Sequence, residues 1–330
     1  MTLYGQKALR RIQIGIETEH GTPATVCTAQ LIGTMSMREA REIKRPSEDN
    51  GALTKFVRSY VSKKNAEINW EGDATFEQLL YFLSMGLVGG VTPELAGEGA
   101  KDAYSWEFIP SVLASGAPDS FTIKAGDNVQ AWAAEYCMAT SLALKGAMGE
   151  GLGLTAAIFG RQLTPGSFDD LPISAVETIL TSMLTVSIGD TMEGVSPVAA
   201  TVHDIALSID TGLKPVFLAD GSLAFSCESE GPRGMELDMT LWFNTSALAE
   251  REKWELQTPR YIRLEALGSE IEEGYSKKLT IDLRAKYTDW AALSEKEGMD
   301  LVAVKLSSEA DVDNDFEFGV TVVNGVSVLP

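Results

Sequence analysis

The chain has 330 residues, of which 45% are hydrophobic and 22% are charged, and its formal net charge is −20. This composition excludes a disordered chain, and the negative charge argues against a surface that grips the phosphates of nucleic acid. No run of about 18 apolar residues is present, so no membrane-spanning helix is expected. The length suits about two domains. The first residues lack the apolar core of a signal peptide, which predicts synthesis in the cytoplasm.

The first part of the chain predicts an arm followed by two strands. Residues 1–28 are expected to form an N-terminal arm with one short strand at Arg11–Ile16, and residues 29–37 predict the next strand. Residues 39–62 contain many charges, Pro46 and an Asn-Gly pair, without a sustained period. This pattern predicts a long loop joining two strands, and loops of that length in compact domains are usually functional or mobile.

Residues 64–87 predict a strand, a tight turn and an amphipathic helix. Ala66, Ile68 and Trp70 alternate with polar residues, which is typical of a strand with one buried face. Thr75 and Gln78 have the spacing of a capping box at a helix start. The following apolar residues recur at helical spacing and predict a buried helix face: Phe76, Leu79, Leu80, Leu83 and Leu87.

Further short strands complete a β-dominated first half. Alternating residues predict strands at 104–110 and 120–124. Residues 130–144 and 152–159 predict a long hairpin around a glycine cluster.

The strand–turn–helix unit recurs later in the chain. Laying Asp73 on Asn244 places Ile68 on Met239, and a run of capping residues again precedes a helix. Strands are predicted around it at residues 202–209, 261–267, 278–287, 299–306 and 316–323. Recurrence of one unit predicts a mainly β (α+β) chain of two tandem copies of one small domain. The predicted domains span residues 29–165 and 166–330, and the strand near residues 179–188 is a candidate for crossing to the first domain.

No pattern in the chain predicts catalytic, cofactor or metal chemistry. His20 and His203 are the only histidines, and neither has a neighbouring set of ligands at zinc spacing. Asp311, Asp313 and Asp315 begin like a calcium loop, but the positions that need Gly and Glu hold other residues. We therefore predict that the protein is not an enzyme and carries no cofactor.

One basic segment stands out in the acidic chain. Residues 38–64 contain eight cations and four acids. The candidate interaction residues are Arg38, Arg41, Lys44, Arg45, Lys55 and Arg58. The segment is either a solvated flexible loop or an interaction segment. As an interaction segment, it would attract other copies head to tail, and such a contact builds a filament when it does not close.

Three segments resemble the major tail tube proteins of bacteriophages with long, flexible tails. Residues 14–24 (IGIETEHGTPA) are similar to the opening Gly-x-Glu-x-x-aromatic-Gly-Thr segment of that family, with His20 where Tyr is more usual. Residues 70–87 (WEGDATFEQLLYFLSMGL) resemble its strand, glycine and leucine-rich helix, and residues 137–160 resemble its Gly-x-x-Gly-Glu hairpin. The resemblance covers roughly residues 10–165, and the second half rests on the internal repeat.

The resemblance implies that each of the two tandem domains is a β-barrel or sandwich with one flanking helix. It also implies a structural subunit of a tail tube, located in the virion tail, with stacked rings around a channel through which DNA passes. Two tandem domains imply a trimeric ring with pseudo-sixfold shape rather than a hexamer. The loop at residues 39–62 is expected to reach the adjacent ring. Partners implied are the chain itself and the tape-measure, tail-tip and tail-terminator proteins.

An acidic lumen is expected because like charge keeps DNA from sticking during passage. The candidate lumen acids are Glu67, Glu71, Asp204, Asp238 and Asp282. The alternative function is a β-sandwich module for adhesion or ligand binding, or another accessory protein of the virion.

Overall fold

The computed structural model describes residues 4–147, 149–198 and 201–329. Strands contain 51% of the residues and helices 8%, which confirms the mainly β prediction. The helices are α1 (Leu79–Gly86) and α2 (Thr245–Glu255), with short 3-10 turns at Lys7–Leu9 and Thr181–Met183. No helix within these described ranges is long and apolar enough to span a membrane.

The strands of the first half lie between residues 11 and 166. They are β1 (Arg11–Ile16), β2 (Ala29–Gln30), β3 (Thr34–Lys44), β4 (Tyr60–Asp73), β5 (Glu94–Leu95), β6 (Tyr104–Phe108), β7 (Phe121–Gly126), β8 (Ala131–Ala147), β9 (Gly153–Gly160) and β10 (Leu163–Gly166).

The strands of the second half lie between residues 184 and 324. They are β11 (Leu184–Gly189), β12 (Ser196–Pro197), β13 (Val202–Asp210), β14 (Leu213–Val216), β15 (Cys227–Glu230), β16 (Gly234–Trp242), β17 (Arg260–Glu272), β18 (Tyr275–Trp290), β19 (Ser294–Lys296), β20 (Met299–Ser308) and β21 (Phe318–Asn324).

Strand β8 belongs to two sheets. Its first part pairs with β7 and β10, and its second part pairs with β9 and β13. Tyr136, at the change of partners, has a φ of +53°, a conformation that is uncommon outside glycine. Its N–H donates to the buried carboxylate of Glu17 at 2.8 Å. Strand β18 makes the same change, from β17 and β21 to β20, at Ala285.

The pairing order of the first half recurs in the second. The first half runs β3–β4–β9–β8–β7–β1–β2, and the second runs β13–β16–β20–β18–β17–β11–β12, with every pair antiparallel. Each half also has one extra strand on the first part of its long strand, β10 on β8 and β21 on β18. This correspondence supports a tandem arrangement, although the domain boundaries stay a prediction.

The two halves share one apolar core, and one strand crosses from the first half to the second. Buried residues form a continuous cluster that contains Trp70, Trp106 and Tyr287. Strand β6 leaves the first half to pair with β21 of the second. In the segment predicted to cross, β11 pairs with β17 in its own half, whereas the peptide groups of Ile179 bond to Ala74 and Leu152 of the first half. The principal crossing strand is therefore β6.

The predicted long loop at residues 39–62 is wrong at both ends. Strand β3 continues to Lys44 and β4 starts at Tyr60, so only residues 45–59 lack regular structure. This part of the hairpin is exposed on both faces and needs no apolar alternation, which is the signal that a strand prediction uses. The predicted strand at residues 29–37 is split between β2 and β3.

The two helices differ in how they meet the core. All eight residues of α1 are buried, and the Thr75 hydroxyl accepts from the Gln78 N–H at 3.1 Å, as the capping pattern predicts. Helix α2 is mostly exposed, and only Ala247 and Glu250 are buried. Its N-terminus is capped by Asn244, whose side chain accepts from two backbone N–H groups.

Candidate assembly surfaces

The two halves meet edge to edge in one joined sheet. It consists of β3, β4, β9, β8, β13, β16, β20 and the last part of β18. The junction between the halves is the pairing of β8 with β13, which runs from Ser141 opposite Asp210 to Ala147 opposite Asp204. One face of this sheet is covered by the apolar core. Residues that are directly opposite in antiparallel strands share a face, so the pairings identify the other face residue by residue.

The other face of the joined sheet carries mostly small and charged side chains, together with the larger apolar residues Met138, Phe159, Trp242 and Leu301. Its small residues include Ser36, Ser141, Ala143, Thr155, Ala157, Ala206, Ser208, Thr240, Ala303 and Ser307. Its acids are Glu67, Glu71, Asp73, Asp204, Asp210, Glu236, Asp238 and Asp289, and its cations are Arg38, Lys145, Lys286 and Lys305. The face therefore has an excess of negative charge.

Four of the five predicted lumen acids lie on this face. Glu67 pairs with Arg38, and Asp238 lies 3.5 Å from the ammonium of Lys305. Asp204 contacts His203 at 2.6 Å. The fifth, Asp282, lies elsewhere. It belongs to the first part of β18, between β17 and β21, where Arg263 binds it in a bidentate pair at 2.6 and 2.9 Å.

The end of the β3–β4 hairpin projects past the joined sheet. The partner strand β9 stops at the pair Ala66–Gly160, so residues 41–65 continue as a two-stranded ribbon with its loop. We call this segment the ribbon. At its base, the Lys64 N–H donates to the Leu223 carbonyl at 2.8 Å. The ribbon carries a group of exposed apolar side chains, namely Ile43, Leu53, Phe56, Val57 and Tyr60.

Most predicted interaction cations are paired within the hairpin. Arg38, Arg41, Lys44 and Arg58 bind Glu67, Glu39, Glu42 and Glu48 in turn, whereas the ammonium of Lys55 lies 5.3 Å from the Phe56 ring centre. Hydrogen bonds from Lys44 and Lys63 lower the pKa of Glu42, and the guanidinium of Arg58 lowers the pKa of Glu48. The hairpin is thus basic in sum but locally paired. Its apolar side chains were not predicted as a site, because they show no period.

The corresponding connection of the second half folds back. Residues 211–233 form the β14–β15 hairpin and bring Phe225 against Tyr136 and Phe159 of the first half, at ring-centre distances of 5.0 and 5.3 Å. The guanidinium of Arg161 lies 4.7 Å from the Tyr136 ring centre and donates to the carbonyls of Phe225 and Ser226. This contact holds the segment against the first half.

The outer edge of β3 is exposed, in contrast to that of β13. Strand β13 is paired on both edges, and its core residues Ile205, Leu207 and Ile209 are 6%, 2% and 2% exposed. Within the described residues β3 pairs only with β4, and its core-facing Met35 and Met37 are only partly buried. An unpaired edge is a template for adding a strand from another chain.

The buried thiols offer little nucleophilic chemistry. Burial raises the pKa of Cys27 to about 11 and also raises the pKa of Cys137, so both thiols stay protonated near neutral pH. No group of three or more His, Cys, Asp or Glu side chains that could hold a metal ion occurs in the part of the chain that the structure describes.

Comparison with models of known protein families and with curated proteins finds no match.

Proposed function

We propose that this protein is a structural subunit of a bacteriophage tail tube, in which rings of the chain stack around a channel for DNA. The observation that carries the proposal is the negatively charged face that extends across both halves of the joined sheet. Most side chains on this face are small, and its net negative charge repels the phosphates of a nucleic acid. Such a face suits transit of DNA without tight binding.

The ribbon supplies a means of stacking. It projects beyond the joined sheet and presents Leu53, Phe56 and Val57 to solvent. Exposed apolar side chains that are grouped in one segment are typical of a protein contact. The paired cations of the ribbon add charge of the opposite sign to that of the rest of the chain. The apolar contact is expected to supply most of the stacking energy, since exposed ion pairs contribute little.

Stacking is tested by replacing these three residues together. The variant Leu53→Ser, Phe56→Ser, Val57→Ser should form rings that fail to stack, whereas the parent protein forms tubes in negative-stain microscopy at high concentration. The matched control, Leu113→Ser, Leu248→Ser, Leu256→Ser, removes three leucines that are also exposed and should leave tubes intact. Unchanged tube formation by the ribbon variant would contradict its role in stacking.

The same preparation separates the proposal from its alternative. A module for adhesion or ligand binding would stay a monodisperse monomer at every concentration, and that result would contradict the tube proposal. Raising the salt to about 1 M shortens the screening length to about 3 Å. Tubes held mainly by apolar contact should persist at that salt.

A further inference from the structure

We propose that the exposed edge of β3 pairs with the free edge at the end of β18 in a second copy of this chain, with residues 38–40 antiparallel to residues 289–291. The inference deepens the proposed function and rests on it, because it names the lateral contact within a ring. The partner is a second copy since the chain already contains this contact once, between its own halves.

The internal junction between β8 and β13 is the template. Residues 204–210 of β13 pair with residues 147–141 of β8 in an unbroken antiparallel register. In the repeated pairing order, β13 occupies the place of β3, and β8 occupies the place of β18. The first half therefore presents a β3 edge and the second half a β18 edge, and no second junction between them occurs among the residues that the structure describes.

A shared irregularity aligns β8 with β18 residue by residue. The pairing of β8 with β9 skips Thr140, and the pairing of β18 with β20 skips Thr288. The residues before these bulges, Ala139 and Tyr287, are therefore equivalent, and the next four positions of β8 correspond to residues that are 148 later, as far as Ala291. The correspondence ends there, because Ser294 lies opposite Leu301 and one extra residue intervenes. Ala143 of the internal junction consequently corresponds to Ala291.

The same pairings align β3 with β13. Ala139 pairs with Ile158, which pairs with Ile68 and then with Met37. Tyr287 pairs in the same way with Leu306, Leu237 and Leu207. Met37 is therefore equivalent to Leu207, so Arg38 is equivalent to Ser208, which lies opposite Ala143. The register that follows places Arg38 opposite Ala291 and Ala40 opposite Asp289.

This alignment corrects the overlay drawn from sequence. The pairings make Ile68 equivalent to Leu237, whereas the sequence pattern places it on Met239. A shift of two residues keeps every side chain on the same face of a strand, so the alternation of apolar residues does not detect it.

The second edge is exposed at Thr288 and Asp289 and partly exposed at Trp290 and Ala291. The Ala291 N–H donates to the Ala303 carbonyl of β20 at 2.9 Å. Because successive peptide groups of a strand point to opposite sides, the Trp290 N–H is directed away from β20, where an added strand would lie.

Side chains on the two edges are compatible in this register. On the outer face of the joined sheet, Arg38 and Ala40 of β3 would lie opposite Ala291 and Asp289. Arg38 would then have Asp289 as its diagonal neighbour, a favourable cross-strand pair of charges.

The contact is heterologous, so its repetition either closes a ring or extends a filament. Each new junction repeats the relation that β8 and β13 already set between two halves. If six halves complete the turn, three chains close the ring, which is the trimer expected from a tandem repeat.

A designed disulfide tests the register. Arg38→Cys with Ala291→Cys, in a Cys227→Ser background, places two thiols opposite each other across the proposed junction. Arg38 is exposed and Ala291 is small and partly exposed, so folding should not change. Oxidation of assembled protein should give covalent dimers and trimers on a non-reducing gel and no larger species. The control Glu39→Cys with Ala291→Cys is shifted by one residue, which directs the thiols to opposite faces, and should stay uncrosslinked.

The outcomes separate the two proposals. Rings seen by microscopy without specific cross-linking would overturn the β3–β18 contact and leave the tube function standing. Cross-linked trimers that never stack would support the contact and contradict the tube function. Equal cross-linking of the shifted control would overturn the register.

Discussion

The two connections that join equivalent strands in the two halves differ in whether they pack against the rest of the protein. Residues 45–59, between β3 and β4, lie at the end of a projecting ribbon, whereas residues 211–233, between β13 and β16, fold back on the first half. The difference follows from which apolar side chains find a partner. Phe225 is buried against Tyr136 and Phe159, while Phe56 remains exposed. The connection between equivalent strands is therefore packed against the protein in the second half and exposed to solvent in the first.

The helices show the same divergence. Helix α1 is apolar and wholly buried. Helix α2 is fixed by a buried ion pair, in which Arg260 donates to Glu250 at 2.7 and 3.0 Å, and the Tyr287 hydroxyl donates to the same carboxylate at 3.0 Å. Repeated topology thus does not require repeated chemistry at equivalent positions.

The largest expected effect comes from the packed connection. Phe225→Ala should lower the free energy of unfolding by about 3–5 kcal/mol, because it empties a fully buried aromatic site. The matched change in the ribbon, Phe56→Ala, should alter it by less than about 0.5 kcal/mol. Chemical denaturation followed by tryptophan fluorescence measures both. Equal effects would remove the distinction between the two connections.

The next effect concerns the anchoring of α2. Glu250→Ala should cost about 3 kcal/mol, because it leaves the Arg260 charge buried without its main partner. Arg251→Ala breaks an exposed pair with Glu255 on the same helix and should cost only about 0.5 kcal/mol. Replacing both members of the buried pair with apolar residues, Glu250→Leu with Arg260→Met, should recover much of the loss. A double variant less stable than Glu250→Ala would contradict this account.

A smaller effect, visible only in acid, tests the contact between the halves. Lys277 of β18 binds Glu77 at 2.6 Å and Glu177 at 3.1 Å. Partial burial would raise the pKa of Glu177, but hydrogen bonds from Ser269 and Lys277 outweigh it and lower that pKa. A lowered pKa in the folded state stabilises the protein above the unfolded value of about 4.3, and this stabilisation is lost as the pH falls through the folded value.

The measurement is the free energy of unfolding between about pH 6 and pH 3. The parent should lose stability more steeply than Glu177→Gln below about pH 4.3, so that the two curves converge in acid. Parallel curves over this range would show that Glu177 contributes no pH dependence.

Much of the strand inventory could be predicted because alternation reports burial of one face. The strand at Arg11–Ile16 and the long hairpin of β8 and β9 follow from such patterns, and α1 follows from apolar residues at helical spacing. Helix α2 is mostly exposed, and its prediction depends on the capping residues before it and on the recurrence of the unit. The ribbon strands could not be predicted, since neither of their faces is buried. The partner of β6 could not be predicted either, because alternation indicates a strand but not its distant neighbour.

The candidate surfaces divide in the same way. Glu67, Glu71, Asp204 and Asp238 alternate with core residues on strands that proved to be adjacent, whereas Asp282 has the same local pattern on a strand that changes sheets. The sequence marks the basic segment by its charge. It does not reveal that most of those charges are paired with acids of the same hairpin, Arg38 and Arg58 across it and Arg41 and Lys44 along their own strand.

The asymmetry of the two connections also limits how layers can be superposed. In the proposed three-chain ring, six halves line the channel, but ribbons emerge from only three of them. A neighbouring layer can then dock in three equivalent rotational settings instead of six. Fewer settings mean fewer ways to misalign successive layers, so a fused pair of halves would build a more uniform helical lattice than six identical subunits.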